Sequence, residues 1–97
     1  MRIILSDRTV KHIVGKHPEV KPYINRIRET VENPDTIVKG FKGEFKALKW
    51  YSDLHLGPKY LVVVYRKSSE KEKIILTAYF TSSISKVKGE VVWRRQP

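Results

Sequence analysis

The sequence changes character once, at "ENPD", residues 32 to 35, and that change limits the chain to a helical opening third and a β-rich remainder. Ahead of it the apolar residues keep helical spacing. In "TVKHIVGKH" Val10, Ile13 and Val14 fall at i, i+3 and i+4, and His17 completes the series at i+7. Ser6 or Asp7 can cap this helix. Pro18 blocks simple continuation, because it disfavours helical geometry at the preceding residue and brings no N–H of its own. From Glu19 the spacing restarts, and Val20, Tyr23, Ile24, Ile27 and Val31 form one apolar stripe of a second helix. Asn33 suits its C-terminal cap and Pro34 its stop.

Beyond Asp35 the apolar residues gather into short β-rich runs. "TIVKGF", "EFKALKWYS", "KYLVVVYRK", "KIILTAYFT" and "EVVWRR" read as strands, parted by the turn "KGE", the loop "DLHLGP", the turn "SSEKE" and the loop "SSISKVKG". The nearly unbroken apolar run in "KYLVVVYRK" predicts a central strand covered on both faces. Two helices followed by closely linked strands imply an α+β fold, with two N-terminal helices packed on a four- to five-stranded antiparallel sheet. One face of that sheet is then left free.

A chain of 97 residues suits one domain, residues 1–97, with a real core. No apolar run approaches the roughly 20 residues that cross a bilayer, and "MRIIL" is too short for a signal-peptide core, so the chain reads as soluble, without membrane attachment. Cysteine is absent, which excludes a disulfide framework, a thiolate metal site and a cysteine nucleophile and fits a cytoplasmic protein. The formal net charge of +10 attracts polyanions whatever the fold, and nucleic acid is the first candidate partner. The excess is uneven. Residues 1 to 35 carry seven Lys or Arg against five acids, whereas residues 36 to 97 carry thirteen against five. An anion is expected on the second part.

Alternation sorts "KIILTAYFT" into Ile74, Leu76, Ala78 and Phe80 on one face and Ile75, Thr77, Tyr79 and Thr81 on the other, the latter set bearing hydroxyls. In "EFKALKWYS" Lys46, Leu48 and Trp50 alternate with Phe45, Ala47, Lys49 and Tyr51, a mixture suited to a strand beside a cleft. Cations interleaved with aromatic rings and hydroxyls are what single-stranded RNA needs, for phosphates, bases and sugars in turn. Of the histidines, His17 falls on the apolar stripe, facing the sheet, and His12 faces outward. Periodicity leaves His17 open to two readings, a satisfied structural residue or a reactive one. At i, i+5 the two diverge around a helix, and with no H-E-x-x-H a bound metal is not expected. There is also no P-loop, no G-x-G-x-x-G and no G-x-S-x-G. Metal-independent RNA cleavage stays open, since the 2′-hydroxyl attacks its own phosphate and the enzyme need supply only a base, an acid and cations.

"HIVGKHPEV", then "YINRIRETVENPDTI", "KYLVVVYRK" and "KIILTAYFT", resembles the phage-associated nuclease domains grouped with barnase, EndoU, the colicin-type tRNases and RelE. The resemblance spans roughly residues 10 to 82, and departs at Phe80, where many relatives would carry proline after the tyrosine. It implies ribonuclease activity without a cofactor, and a toxin-like role with an acidic antitoxin or immunity protein as partner. It also implies a catalytic set of His17, Tyr79 and Thr81, with Thr77 beside them and His12 as a weaker candidate. Strand position and chemistry add Lys49, Arg66 and Tyr51 as RNA- or phosphate-binding residues. Two other readings use the same residues: a non-catalytic basic module that binds nucleic acid, and an interaction protein for an acidic partner.

Overall fold

The computed structural model describes residues 1–97. Strand β1 (Arg2–Ile4) leads into helix α1 (Asp7–Lys16), a 3₁₀ segment (Pro18–Tyr23) and helix α2 (Arg26–Glu32). Strands β2 (Thr36–Lys39), β3 (Phe45–Tyr51), β4 (Lys59–Ser69) and β5 (Glu72–Thr81) follow, then a short 3₁₀ turn (Ile84–Lys86) and strand β6 (Glu90–Arg94). The architecture is α+β as expected, with the helices on one face of the sheet. That sheet has six strands rather than four or five, in the order β1-β5-β4-β3-β2-β6. All neighbours are antiparallel except β1, which runs parallel to β5.

The local chemistry explains the helix ends. Ser6 Oγ accepts the Thr9 N–H at 3.1 Å, and Asp7 and Lys16 sit in the first and last turns of α1, where their charges suit the helix dipole. Pro18 stops the helix at His17, whose backbone leaves helical values at φ −132° and ψ 70°. The second helix does not run unbroken from Glu19. With prolines at 18 and 22 the stretch closes as a 3₁₀ segment, and regular α geometry begins only at Arg26. The apolar stripe still does its work: Val20, Tyr23, Ile27 and Val31 are buried.

Strand β4 is the centre of the sheet and is covered on both faces. Leu61, Val63 and Tyr65 belong to a 14-residue cluster under the helices that includes Ile13, Ile27, Ala47 and Ile75. Val62 belongs instead to a four-residue cluster on the opposite face with Val38, Leu48 and Val87. The β5 pattern departs from simple alternation, because Val64 pairs with Thr77 and Tyr65 with Ile75. Leu76 is the extra residue of a β-bulge and is exposed, so Ile75 joins Ala78 and Phe80 on the helix face. Phe80 carries the strand on without a break, opposite Leu61. After the turn at Ile84–Lys86 the chain comes back to pair β6 with β2 through Gly89, at φ 133°. A Cβ there would collide with the Lys39 carbonyl oxygen and Val38, so only glycine fits.

Candidate active site

The parallel pairing of β1 covers only the Glu72–Ile74 end of β5. Beside the rest of that edge lie α1 and the 3₁₀ segment. The Pro18 stop therefore delivers His17 to the rim of the sheet rather than its middle. Its ring lies 5.7 Å from the Tyr79 ring, tilted by 38°, and its Nδ1 is 3.9 Å from the Glu19 carboxylate. The His17 side chain is 32% exposed, so it meets both the protein and water. Tyr79 is half-buried on the helix-free face, and burial pushes its hydroxyl above the ordinary tyrosine range, so it stays protonated at neutral pH and can donate a hydrogen bond.

Register places Thr77 and Thr81 on the same face as Tyr79, opposite Val64 and Tyr60 of β4. Their hydroxyls differ in state. Thr81 is buried, donates to the Ser83 carbonyl at 3.3 Å and accepts the Ser83 N–H at 3.5 Å, which ties off the exit from β5. Thr77 Oγ1 is buried with no hydrogen-bond partner. An orphaned hydroxyl of this kind carries a desolvation cost. Arg66 is exposed on this face too, but it lies four residues along β4 from Val62, the partner of Tyr79, or about 13 Å. His12 is exposed on α1, about 7.5 Å along the helix axis from His17.

Lys49 and Tyr51 are not part of this grouping. Both lie on the helix face of β3. Lys49 Nζ donates to the Asn33 carbonyl at 3.1 Å, satisfying the end of α2. Tyr51 is buried, with its hydroxyl 3.0 Å from Thr30 Oγ1 and the Arg26 guanidinium 4.9 Å above its ring. Burial raises its pKa as well.

The opposite parity of β3 holds residues that sequence reasoning passed over. Trp50 is 44% exposed, and its ring meets that of its cross-strand partner Tyr60 at 4.8 Å in an edge arrangement. Lys46 donates to the Lys88 carbonyl at 2.8 Å, at the border of the small cluster. The signal for them was the alternation itself, which offered two sets, and Ala47 marked the set that a helix could approach closely.

His17 and Glu19 approach each other here, but nowhere does the fold gather three or more His, Cys, Asp or Glu side chains able to hold a metal ion. An imidazole beside a protonated phenol at the rim of the sheet has the groups for proton transfer and for a hydrogen bond to an oxyanion. The profile of the family described as phage-Barnase-EndoU-ColicinE5/D-RelE like nuclease2 matches residues 1–94. The chain belongs to that family. Membership in this nuclease family implies a nucleic acid substrate, in keeping with the charge of +10. No curated protein and no solved structure matches the chain. No helix is long and apolar enough to cross a membrane.

Proposed function

We propose that the protein is a metal-independent endoribonuclease whose single domain cleaves RNA on the helix-free face of the sheet. The observation that carries this reading is the contact of His17 with Tyr79 at the rim of that face, in a chain of a nuclease family. In the proposed reaction a base takes the proton of a ribose 2′-hydroxyl, and the 2′-oxygen attacks the adjacent phosphorus. The 5′-oxygen leaves with a proton from an acid. The products are a 2′,3′-cyclic phosphate and a free 5′-hydroxyl.

His17 serves as the base or the acid, since an imidazole exchanges protons near neutral pH. Tyr79 donates a hydrogen bond to the phosphate, a role that suits a phenol held protonated by burial. Thr77 lies on the same face two residues from Tyr79, and Thr81 supports the site by closing the turn after β5. Trp50 and Tyr60 offer rings for flanking bases and Arg66 a cation for a more distant phosphate. His12 is the weaker candidate for proton transfer because it faces solvent on α1. A toxin-like role accompanies this reading, with an acidic antitoxin or immunity protein suited to the positive surface.

Purified protein incubated with tRNA, rRNA or mRNA, with and without EDTA, is expected to leave cyclic phosphate ends, and His17→Ala to stop the cleavage. RNA that stays intact while still bound would favour the second reading, a non-catalytic binding module. Exposed Trp50, set against half-buried Tyr60, supports that alternative, since stacking needs no reaction.

A further inference from the structure

The molecule's one sizeable cavity is on the helix side of the sheet, away from His17 and Tyr79. It encloses about 550 Å³ between the end of α2, strand β6 and the outer end of the β4–β5 hairpin. Its floor is aromatic: Phe45 and Tyr65 are cross-strand partners with rings 5.6 Å apart and nearly parallel, at 20°. A lysine stands on each ring, Lys67 Nζ 4.9 Å from the Phe45 centroid and Lys73 Nζ 4.9 Å from that of Tyr65.

These two lysines are direct register partners on β4 and β5. Like charges placed opposite each other in a sheet destabilise it. The ion pairs of the structure are Arg2–Glu72, Arg26–Asp53 and Arg95–Asp35, and none of them relieves either lysine. Burial, with the nearby Lys67 charge, lowers the pKa of Lys73. On the rim Trp93 leaves 44% of its surface exposed, and Glu32 lines the α2 end of the same cavity.

We propose that this cleft binds a nucleotide unit, its phosphate on Lys67 and Lys73 and its base against Trp93. Two facing cations without a counterion call for an anion, and an exposed indole beside them calls for a flat ring. Glu32 adds an acceptor suited to a sugar hydroxyl or an exocyclic amine, and it disfavours a ligand that is acidic throughout. The volume falls within the range of small-ligand pockets. The cleft lies across the sheet from the proposed cleavage face, so it stands whether or not RNA is cleaved there.

The chain has two tryptophans, and Trp50→Phe leaves Trp93 as the only fluorescent indole. In that variant adenosine 5′-monophosphate is expected to quench the emission saturably, and adenosine to do so far more weakly. Adding Lys67→Gln and Lys73→Gln is expected to raise the dissociation constant at least tenfold, and Lys67→Gln alone, at an exposed position, to raise it with the melting curve kept. The 2′-deoxy dinucleotide d(ApA), which lacks the hydroxyl for self-attack, separates two sources: equal affinity indicates a nucleotide within a chain, and markedly weaker affinity a free nucleotide. Absence of quenching, affinity indifferent to both lysines, or displacement by a glutamate decapeptide as effective as by the nucleotide would each overturn the proposal.

Discussion

The two faces of the sheet are built to different standards. Under the helices 14 buried residues form one cluster; across the sheet only Val38, Leu48, Val62 and Val87 do, roofed by a single short turn. Each fully buried Leu or Ile contributes about 1.5–3 kcal/mol, so most of the stability comes from the helix face. The other face keeps Tyr79, Thr77, Tyr60 and Trp50 only partly covered. A sheet secured from one side can leave hydroxyls, rings and cations on the other without losing the fold. The cleft beneath Trp93 shows the same economy at the edge, where only the last turn of α2 reaches.

Substitutions should separate the faces. The largest effect is expected for His17→Ala, a loss of about 10²–10⁴-fold in RNA cleavage with the melting temperature nearly unchanged; a large fall in melting temperature would make His17 a structural residue and break the contrast. Stability should divide the other way. Leu61→Ala is expected to cost about 2–5 kcal/mol in urea unfolding, and Val87→Ala, on the lightly built face, about 1–2 kcal/mol. A similar cost at both sites would mean that the small cluster matters more than its size suggests.

A neighbouring pair on β3 sharpens the comparison further. Trp50→Ala should weaken binding of single-stranded RNA by about 1–3 kcal/mol in a fluorescence or filter assay, whereas Tyr51→Phe should leave binding unaltered and cost stability by about 1 kcal/mol through the lost Thr30 contact. The smallest effect concerns Asp53, whose carboxyl is held below its usual range by two hydrogen bonds from Arg26, at 2.6 and 2.7 Å. A depressed carboxyl stabilises the fold above its unfolded pKa of about 3.9 and loses that contribution as the pH falls through the lowered value. Melting temperatures of the wild type and Asp53→Asn should therefore differ at neutral pH and converge on acidification; a difference that persists to low pH would show that the ion pair is not its source.

Much of this organisation could be read from residue order. The stripe Val20, Tyr23, Ile27 and Val31 and the apolar centre of "KYLVVVYRK", Leu61 to Val63 with Tyr65, depend on neighbouring residues, and both are buried where the pattern puts them. The outward direction of His12 follows from the same count. Strand β1 was invisible because three residues, Arg2 to Ile4, are too few to show alternation; what makes them a strand is pairing with Glu72, Lys73 and Ile74, some 70 positions along the chain. The break between the 3₁₀ segment and α2 turned on Pro22, whose missing N–H outweighed a good apolar stripe.

Residue order was enough for an α+β class, for the helix stop at His17 and for a positive charge concentrated after Asp35, because each rests on neighbours or on totals. Which face did what required the folded chain. Alternation says that Lys49 and Tyr51 share a side, and Lys46 and Trp50 the other, but a period of two cannot say which side meets the helices. The bulge at Leu76 then resets the parity of β5, so that Ile75 turns to the core while Thr77 and Tyr79 keep the open face. His17 meets Tyr79 only because β1 stops short along that edge and leaves room for the end of α1.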